Sequence, residues 1–191
     1  MTTSILLTGV GGQGTILTSK ILSEGLVTLG YDVKMSEIHG MSQRGGTVNT
    51  QIKYGKKIYA PNIGMGEADI IVAFEKVEAL RALPFLRKGG TIVMDEREIY
   101  SIPVLTGAQQ YPENAIDVLK GAVEKLIVVP ASKIAQELGN IRAQNICLLG
   151  ALVTALKLGG VEWKSLITKY VPAKAAEVNL KAFEAGCKLM D

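Results

Sequence analysis

The sequence predicts an α/β fold: an open, mostly parallel Rossmann-like sheet with helices on both faces, a small hairpin insertion and a helical C-terminal region. Three observations carry this. Short apolar runs ("ILLT", "ADIIVAF", "TIVMD", "LIVVP") alternate with segments of helical spacing, the pattern of parallel strands joined by crossover helices. A glycine turn, "GVGGQG", directly follows the first run. Hydrophobic residues make up 48% of the chain and charged residues only 20%. That composition suits a sheet buried on both faces, and a subunit that hides part of its surface against another. At 191 residues the chain is expected to form one domain, 1–191, with the hairpin insertion at about 46–60.

Taken in order, "ILLT" (5–8) is a short strand that stops at glycine. Behind it Ile16, Leu17, Ile21, Leu22, Leu26 and Leu29 recur at helical spacing, which predicts a helix from Gln13 to Leu29 with Gly30 as its stop. "YDVKMSE" (31–37) alternates Val33 and Met35 as a second strand would, completing a right-handed strand–helix–strand unit. "IHGMSQRGGTVNT" (38–50) breaks the pattern. "TVNTQIKYGKKIYAP" then reads as two short strands around Tyr54–Gly55–Lys56, a hairpin appended to the sheet. "ADIIVAF" (68–74) is a buried strand, and Glu75 to Leu86 is helical with Pro84 breaking its last turn. Gly89–Gly90 turn the chain into the strand "TIVMD" (91–95). "PENAIDVLKGAVEK" (112–125) reads as a helix, "LIVVP" (126–130) as a strand, and Ser132 as the N-cap of the next helix. Helical patterns at 143–158, 162–171 and 173–190 close the chain.

Composition narrows the function. The formal charge is +3, the basic residues are scattered and aromatic residues are 5%, so neither a phosphate-tracking groove nor a base-stacking platform is expected. Cys147 and Cys187 lie far apart in apolar helical patterns, with no Cys-x-x-Cys pair. Neither zinc nor an iron–sulfur cluster finds its ligands in such a set, and both cysteines read as buried structural thiols. No basic segment precedes the first apolar run, and the longest apolar run (146–156) is too short to span a bilayer. A cytoplasmic chain that binds neither membrane nor nucleic acid is expected.

Gly9, Gly11 and Gly14 fit G-x-G-x-x-G. Gly9 is expected to allow the tight turn, Gly11 to let a phosphate approach the backbone, and Gly14 to permit close helix packing. A helix starting near Gly12 would point free N–H groups and the positive end of its dipole at an anion, so Gly9, Gly11, Gly12, Gln13 and Gly14 are the candidate cofactor-binding residues. NAD binding would also need an acid near the end of the second strand, and Glu37 is close to that place. Hydride transfer would further need a substrate pocket and an acid–base group. His39 is the only histidine, and no separate substrate domain is evident.

A second constellation, "SEIHGMSQRGGTVNTQIKYG" (36–55), starts at the carboxyl end of a strand, where open α/β sheets bind ligands. His39, Ser42, Gln43, Arg44, Gly45 and Gly46 are its candidate substrate- or anion-binding residues. Arg44 could clamp a phosphate or carboxylate with two hydrogen bonds, and Gly45–Gly46 could add backbone amides as a nest. Equally, Arg44 could pair with a carboxylate such as Glu37 and only pin the loop.

"GVGGQG", "SEIHGMSQRGG" and "GEADIIVAFE" (66–75), with "NIRAQNICLLGAL" (140–152), together resemble the gamma-type subunit of 2-oxoacid:ferredoxin oxidoreductases, most nearly the smaller subunit of the indolepyruvate enzymes. The resemblance covers nearly the whole chain as one pyruvate/ketoisovalerate oxidoreductase gamma-type domain. It implies part of an enzyme that decarboxylates a 2-oxoacid on thiamine diphosphate, passes electrons through iron–sulfur clusters to ferredoxin and yields an acyl-coenzyme A. Thiamine diphosphate, Mg and the clusters are then expected on a larger partner subunit, with no cofactor bound tightly here and coenzyme A at the interface. The isolated chain would be inactive, and ferredoxin an indirect partner. Two alternatives stay open: a self-contained NAD(P)-binding oxidoreductase, and a non-catalytic scaffold subunit.

Overall fold

Among the described residues, five strands run in one direction and a sixth runs against them from inside the sheet. The computed structural model describes residues 2–39 and 46–190. In chain order the elements are β1 (Thr3–Val10), α1 (Thr15–Thr28), β2 (Asp32–His39), β3 (Thr47–Gly55), β4 (Ala68–Ala73), α2 (Lys76–Ala82) and β5 (Leu86–Asp95). They continue as α3 (Ile102–Leu105), α4 (Ala115–Ala122), β6 (Lys125–Val129), α5 (Ala131–Glu137), α6 (Gln144–Ala155), α7 (Trp163–Tyr170) and α8 (Ala176–Lys188). The strands lie in the order β2-β3-β1-β4-β5-β6.

The strand periodicity of two divides the core into two layers. Ile5 and Leu7 of β1 face α1, α6, α7 and α8, meeting Ile21, Leu22, Leu26, Leu149 and Trp163. Leu6, with Ile71, Ala73, Ile92 and Met94 of β4 and β5, faces α2 and α4 through Ala79, Ala82 and Leu119. Helices therefore cover both faces, as the alternating apolar runs predict.

The expected hairpin exists, but with different arms. β2 and β3 pair antiparallel from Asp32↔Gly55 to His39↔Val48. β3 also pairs antiparallel with β1, from Thr3↔Tyr54 to Val10↔Thr47. The insertion thus wedges one strand between β1 and β2 instead of appending two. Residues 56–67 form no strand. Their amides are met by side chains: Ile58 N donates to Asp32 Oδ2 (2.8 Å), Ile63 N to Gln51 Oε1 (2.9 Å) and Gly64 N to Glu67 Oε2 (3.0 Å). Pro61 in this stretch has no N–H to give a ladder.

Smaller departures have local causes. Gly89–Gly90 lie within β5 beside a shift in its pairing with β4, not in a turn before it. The helix expected over 112–125 is confined to α4, because Val123 is already extended (φ −126°, ψ 129°) on the way into β6. Ser132 sits inside α5, which Pro130 precedes as cap, and donates to a carboxylate instead of capping the helix. Among the described residues no helix is long and apolar enough to cross a membrane.

α6 and α8 pack at backbone distance. A Cβ on Gly186 would lie 2.0 Å from Cys147 O, and one on Gly150 would lie 2.2 Å from Phe183 O. Those obstacles are main-chain atoms and cannot swing aside. Gly186→Ala should therefore cost about 1–3 kcal/mol, a fall in Tm of roughly 3–10 °C in thermal unfolding. An unchanged Tm would contradict the packing described.

Candidate functional site at the carboxyl end of the sheet

The glycine turn is built from the inside outward. Gln13 is buried, its Oε1 accepting from Val10 N (2.7 Å) and its Nε2 donating to Phe74 O (2.7 Å). Its own N–H donates to Val10 O (3.1 Å). Both ends of the Gln13 side-chain amide are thus held inside the protein, and they brace the turn from below. Gly9 is not the turn. It lies in β1 opposite Val48, and a Cβ there would stand 3.0 Å from Gln13 Oε1 and 3.1 Å from Phe74 Cβ. Its role is to let the Gln13 bridge close.

Gly14 caps α1 in the left-handed region (φ 82°), and a Cβ there would lie 2.3 Å from Asn145 Nδ2 of α6. Close packing at Gly14 matches the expectation. The helix begins at Thr15 instead of near Gly12, since Gly12 (φ 97°) and Gly14 both leave helical geometry. The amides of Thr15, Ile16 and Leu17 have no acceptor within the helix, so the positive end of α1 opens beside Gly12.

Both glycine segments meet at this end of the sheet. Gly11 N donates to Gly46 O (2.9 Å), next to the Val10↔Thr47 pair. The Gly11 amide is therefore occupied. His39 ends β2 opposite Val48. Ser42, Gln43, Arg44 and Gly45 lie outside the described residues. β3 separates β2 from β1 by two strand spacings, about 10 Å, so Glu37 does not flank the glycine turn as a ribose-binding acid would.

Two hollows flank the turn. The smaller, about 270 Å³, lies between Gly12–Gly14 and the C-terminal helices, with Asn140, Arg142, Asn145 and Lys174 on its walls. Arg142 and Lys174 are exposed, and neither forms an ion pair with a described residue. Asn145 donates from Nδ2 to Gly14 O (3.3 Å), tying α6 to the turn. The larger hollow, about 550 Å³, opens past Val10 between α2 and the segment after β5. Glu75 caps α2, with Oε2 accepting from Val77 N (2.7 Å) and Glu78 N (3.0 Å), while its Oε1 accepts from Tyr111 Oη (2.5 Å). Burial, then the Glu75 carboxylate, holds the Tyr111 phenol well above its ordinary range.

Arg142, Asn145 and Lys174 were not among the residues the sequence singled out for a role. "NIRAQN" does carry Arg142 and Asn145, but nothing in the spacing says that α6 docks on the glycine turn.

Asp95 ends β5 fully buried, accepting from Ser132 N (2.9 Å) and Ser132 Oγ (3.0 Å). Burial raises its pKa to about 6, against the opposing hydrogen bonds from Ser132 and Arg97. The pair fixes the start of α5, which leads to Asn140.

The family model for pyruvate ferredoxin/flavodoxin oxidoreductases matches residues 4–189. This chain belongs to that family. A relative from Thermococcus kodakarensis, indolepyruvate oxidoreductase subunit IorB, is 38% identical over 97% of this chain and 94% of its own length. Among solved structures, the gamma subunit of a keto/oxoacid ferredoxin oxidoreductase from Geobacter sulfurreducens superposes with a TM-score of 0.71 at 22% identity, covering 98% of both chains. The 2-oxoglutarate:ferredoxin oxidoreductase from Magnetococcus marinus, solved with 2-oxoglutarate, coenzyme A and succinyl-CoA, gives 0.76 at 20% identity, covering 99% of this chain and 31% of that one. At those identities the likeness is one of fold, and it is the fold the alternating runs predict.

In this member of the pyruvate ferredoxin/flavodoxin oxidoreductase family, Asp95 also sets a pH response. The folded chain keeps its proton up to about pH 6, whereas an unfolded Asp releases it near 3.8. Its contribution therefore favours folding in acid and is lost as the pH rises between those values. Measured by denaturant midpoint, the stability of the wild type relative to Asp95→Asn should fall across pH 4–6.5. A constant difference over that window would refute the assignment.

Proposed function

We propose that this chain is the small subunit of an indolepyruvate-type 2-oxoacid:ferredoxin oxidoreductase, working in the cytoplasm, and that it contributes the carboxyl end of its sheet to an interface with a larger subunit. The larger subunit would carry thiamine diphosphate and the iron–sulfur clusters, with ferredoxin drawing electrons from it. The family match supports this, and so does the chemistry of the residues present. The chain has two cysteines, and burial pushes the Cys147 thiol up to about 12, the opposite of what a cluster-binding thiolate needs. Among the described residues no group of three or more His, Cys, Asp or Glu could hold a metal ion. These residues do not fit a cluster, and no electron-transfer step is routed through them.

At the interface the glycine turn holds an anionic group, a phosphate of coenzyme A or the carboxylate of the 2-oxoacid. The observation that carries this is the hollow beside Gly12–Gly14, where Arg142 and Lys174 stand without carboxylate partners among the described residues, next to the open end of α1. The first-turn amides aim hydrogen bonds and a dipole at an anion there, and the two side chains supply full charge. The chain's contribution to turnover is binding and orientation. Gly46 abuts Gly11 beside the same place.

Charge-assisted hydrogen bonds contribute about 1.5–3 kcal/mol each. In the assembled enzyme, Arg142→Ala combined with Lys174→Ala should raise the KM for coenzyme A or for the 2-oxoacid at least tenfold, with kcat near wild type. Arg44→Ala should move the same constant in the same direction. Unchanged KM values for both substrates would remove the anion site. The purified chain alone should reduce no ferredoxin from any 2-oxoacid, with turnover appearing only on adding the larger subunit. Turnover by the lone chain would overturn the division of labour.

A further inference from the structure

Three helices start at the smaller hollow. Its walls carry Gly14, the cap of α1, Asn140, the cap of the single turn Ile141–Ala143 that leads into α6, and Ala175, the cap of α8. These helices run to 14, 12 and 13 residues. Each brings roughly half a positive charge to its first turn. No acidic side chain stands in the first turn of α1 or α6, and Glu177 in that of α8 is exposed and paired with Lys181 (2.7 Å). Among the described residues no carboxylate lines the hollow, whereas Arg142 and Lys174 do.

One buried side chain is left incomplete there. Asn179 of α8 is 6% exposed and lines the hollow. Its Nδ2 donates to Ala175 O (2.8 Å), which fixes the amide and turns Oδ1 the other way. That oxygen has no partner among the described residues, and it is not sealed in the core as Asn145 Oδ1 is. It therefore reaches the hollow. An acceptor beside two cations and three helix starts calls for a ligand that is both anionic and a hydrogen-bond donor.

The two anions proposed for this place differ on that point. The carboxylate of a 2-oxoacid has one negative charge and is flanked by a carbonyl, which can only accept. It would leave positive charge unmatched and set one acceptor against another. A phosphate monoester is a dianion above its second pKa of about 6, and so matches both side-chain charges. Having lost its last proton it no longer donates, so the donor is a hydroxyl on the neighbouring carbon. Leu17, Val171 and Pro172 complete the walls and suit the carbon face of a sugar ring. At about 270 Å³ the hollow is smaller than the roughly 300–1,000 Å³ that encloses a drug-sized ligand, so it grips one end of a larger molecule. We infer that this hollow binds a sugar phosphate monoester, the dianion held by Arg142, Lys174 and the first amides of α1, and a vicinal hydroxyl donated to Asn179 Oδ1. The inference rests on the anion-binding role proposed above and narrows it: the ribose phosphate of coenzyme A has this chemistry, and the 2-oxoacid carboxylate does not.

The test titrates the purified full-length chain, at a pH of about 8, with adenosine 3′-phosphate, 2′-deoxyadenosine 3′-phosphate, adenosine and pyruvate, following the backbone amides of Gly12, Gly14 and Thr15 by NMR. Adenosine 3′-phosphate should bind saturably, and its 2′-deoxy analogue roughly fivefold more weakly because the donor is gone. Adenosine and pyruvate should bind about tenfold more weakly or not at all. In Asn179→Leu, which keeps the bulk and removes the acceptor, the two phosphates should become equal in affinity. In Arg142→Ala, an exposed position, both should weaken together with their ratio kept. The wild-type comparison of the two phosphates decides the matter even if the Asn179 variant does not fold. Equal affinity for the two phosphates overturns the hydroxyl contact, and pyruvate binding as tightly as the phosphate overturns the choice of ligand. Absence of saturable phosphate binding overturns the inference whole. Unchanged KM values in the assembled Arg142 and Lys174 variant, beside discriminated binding to the free chain, would remove the role in turnover and keep this site. Binding that favours pyruvate would do the reverse, so the two readings can fail separately.

Discussion

The carboxyl end of the sheet hangs on one carbonyl. Phe74 O, just past β4, accepts from Gln13 Nε2 (2.7 Å) and from Gln144 Nε2 (2.8 Å). Gln13 belongs to the glycine turn and Gln144 opens α6, so a single acceptor ties the first strand, the fourth strand and the C-terminal helical layer. Gln144 extends the tie to the segment after β5 by accepting from Arg97 Nη1 (2.5 Å). The site is buried, where hydrogen bonds are electrostatically strong and an unmade one is costly. The glycine turn is therefore held by side-chain amides from below, which leaves its upper surface and the start of α1 available.

The second constraint is the direction of β3. A dinucleotide fold sets its second parallel strand against the first, with the acid of that strand beside the glycine turn. Here an antiparallel strand fills that position, with Thr47 paired to Val10 beside the turn. The glycine motif keeps its local mechanics of strand, turn and helix N-terminus. The neighbour that makes such a motif specific for NAD is displaced.

Much of the architecture was legible because it is local. The short apolar runs locate β1, β4 and β6, and the spacing of Ile21, Leu22 and Leu26 locates α1 together with the face it buries. The stretch 47–61 reads in sequence as two arms, yet only Thr47–Gly55 becomes a strand, because pairing partners are a non-local property. Nothing in "TVNTQIKYG" says that it will lie between β1 and β2. The site followed the same division. Gly14 and Gly46, which the pattern marks, lie at this end of the sheet, whereas the inward rotation of Gln13 and the approach of Arg142 arise from burial and docking. The resemblance to the gamma-type subunits bridged part of that gap, since its "NIRAQN" segment proves to be the one that docks on the glycine turn.

The reversal of β3 has one more outcome. Because that strand runs backwards, residues 56–67 leave the sheet at the rim opposite the glycine turn and return there to start β4. Tyr59 and Met65 on this stretch are 84% and 79% exposed, and its amides lean on side chains instead of a ladder. Severing the backbone there would yield two fragments still zipped together through the pairing of β1 with β4, with the far end of the molecule undisturbed. The fold thus keeps its most cuttable loop and its chemically busiest surface at opposite poles.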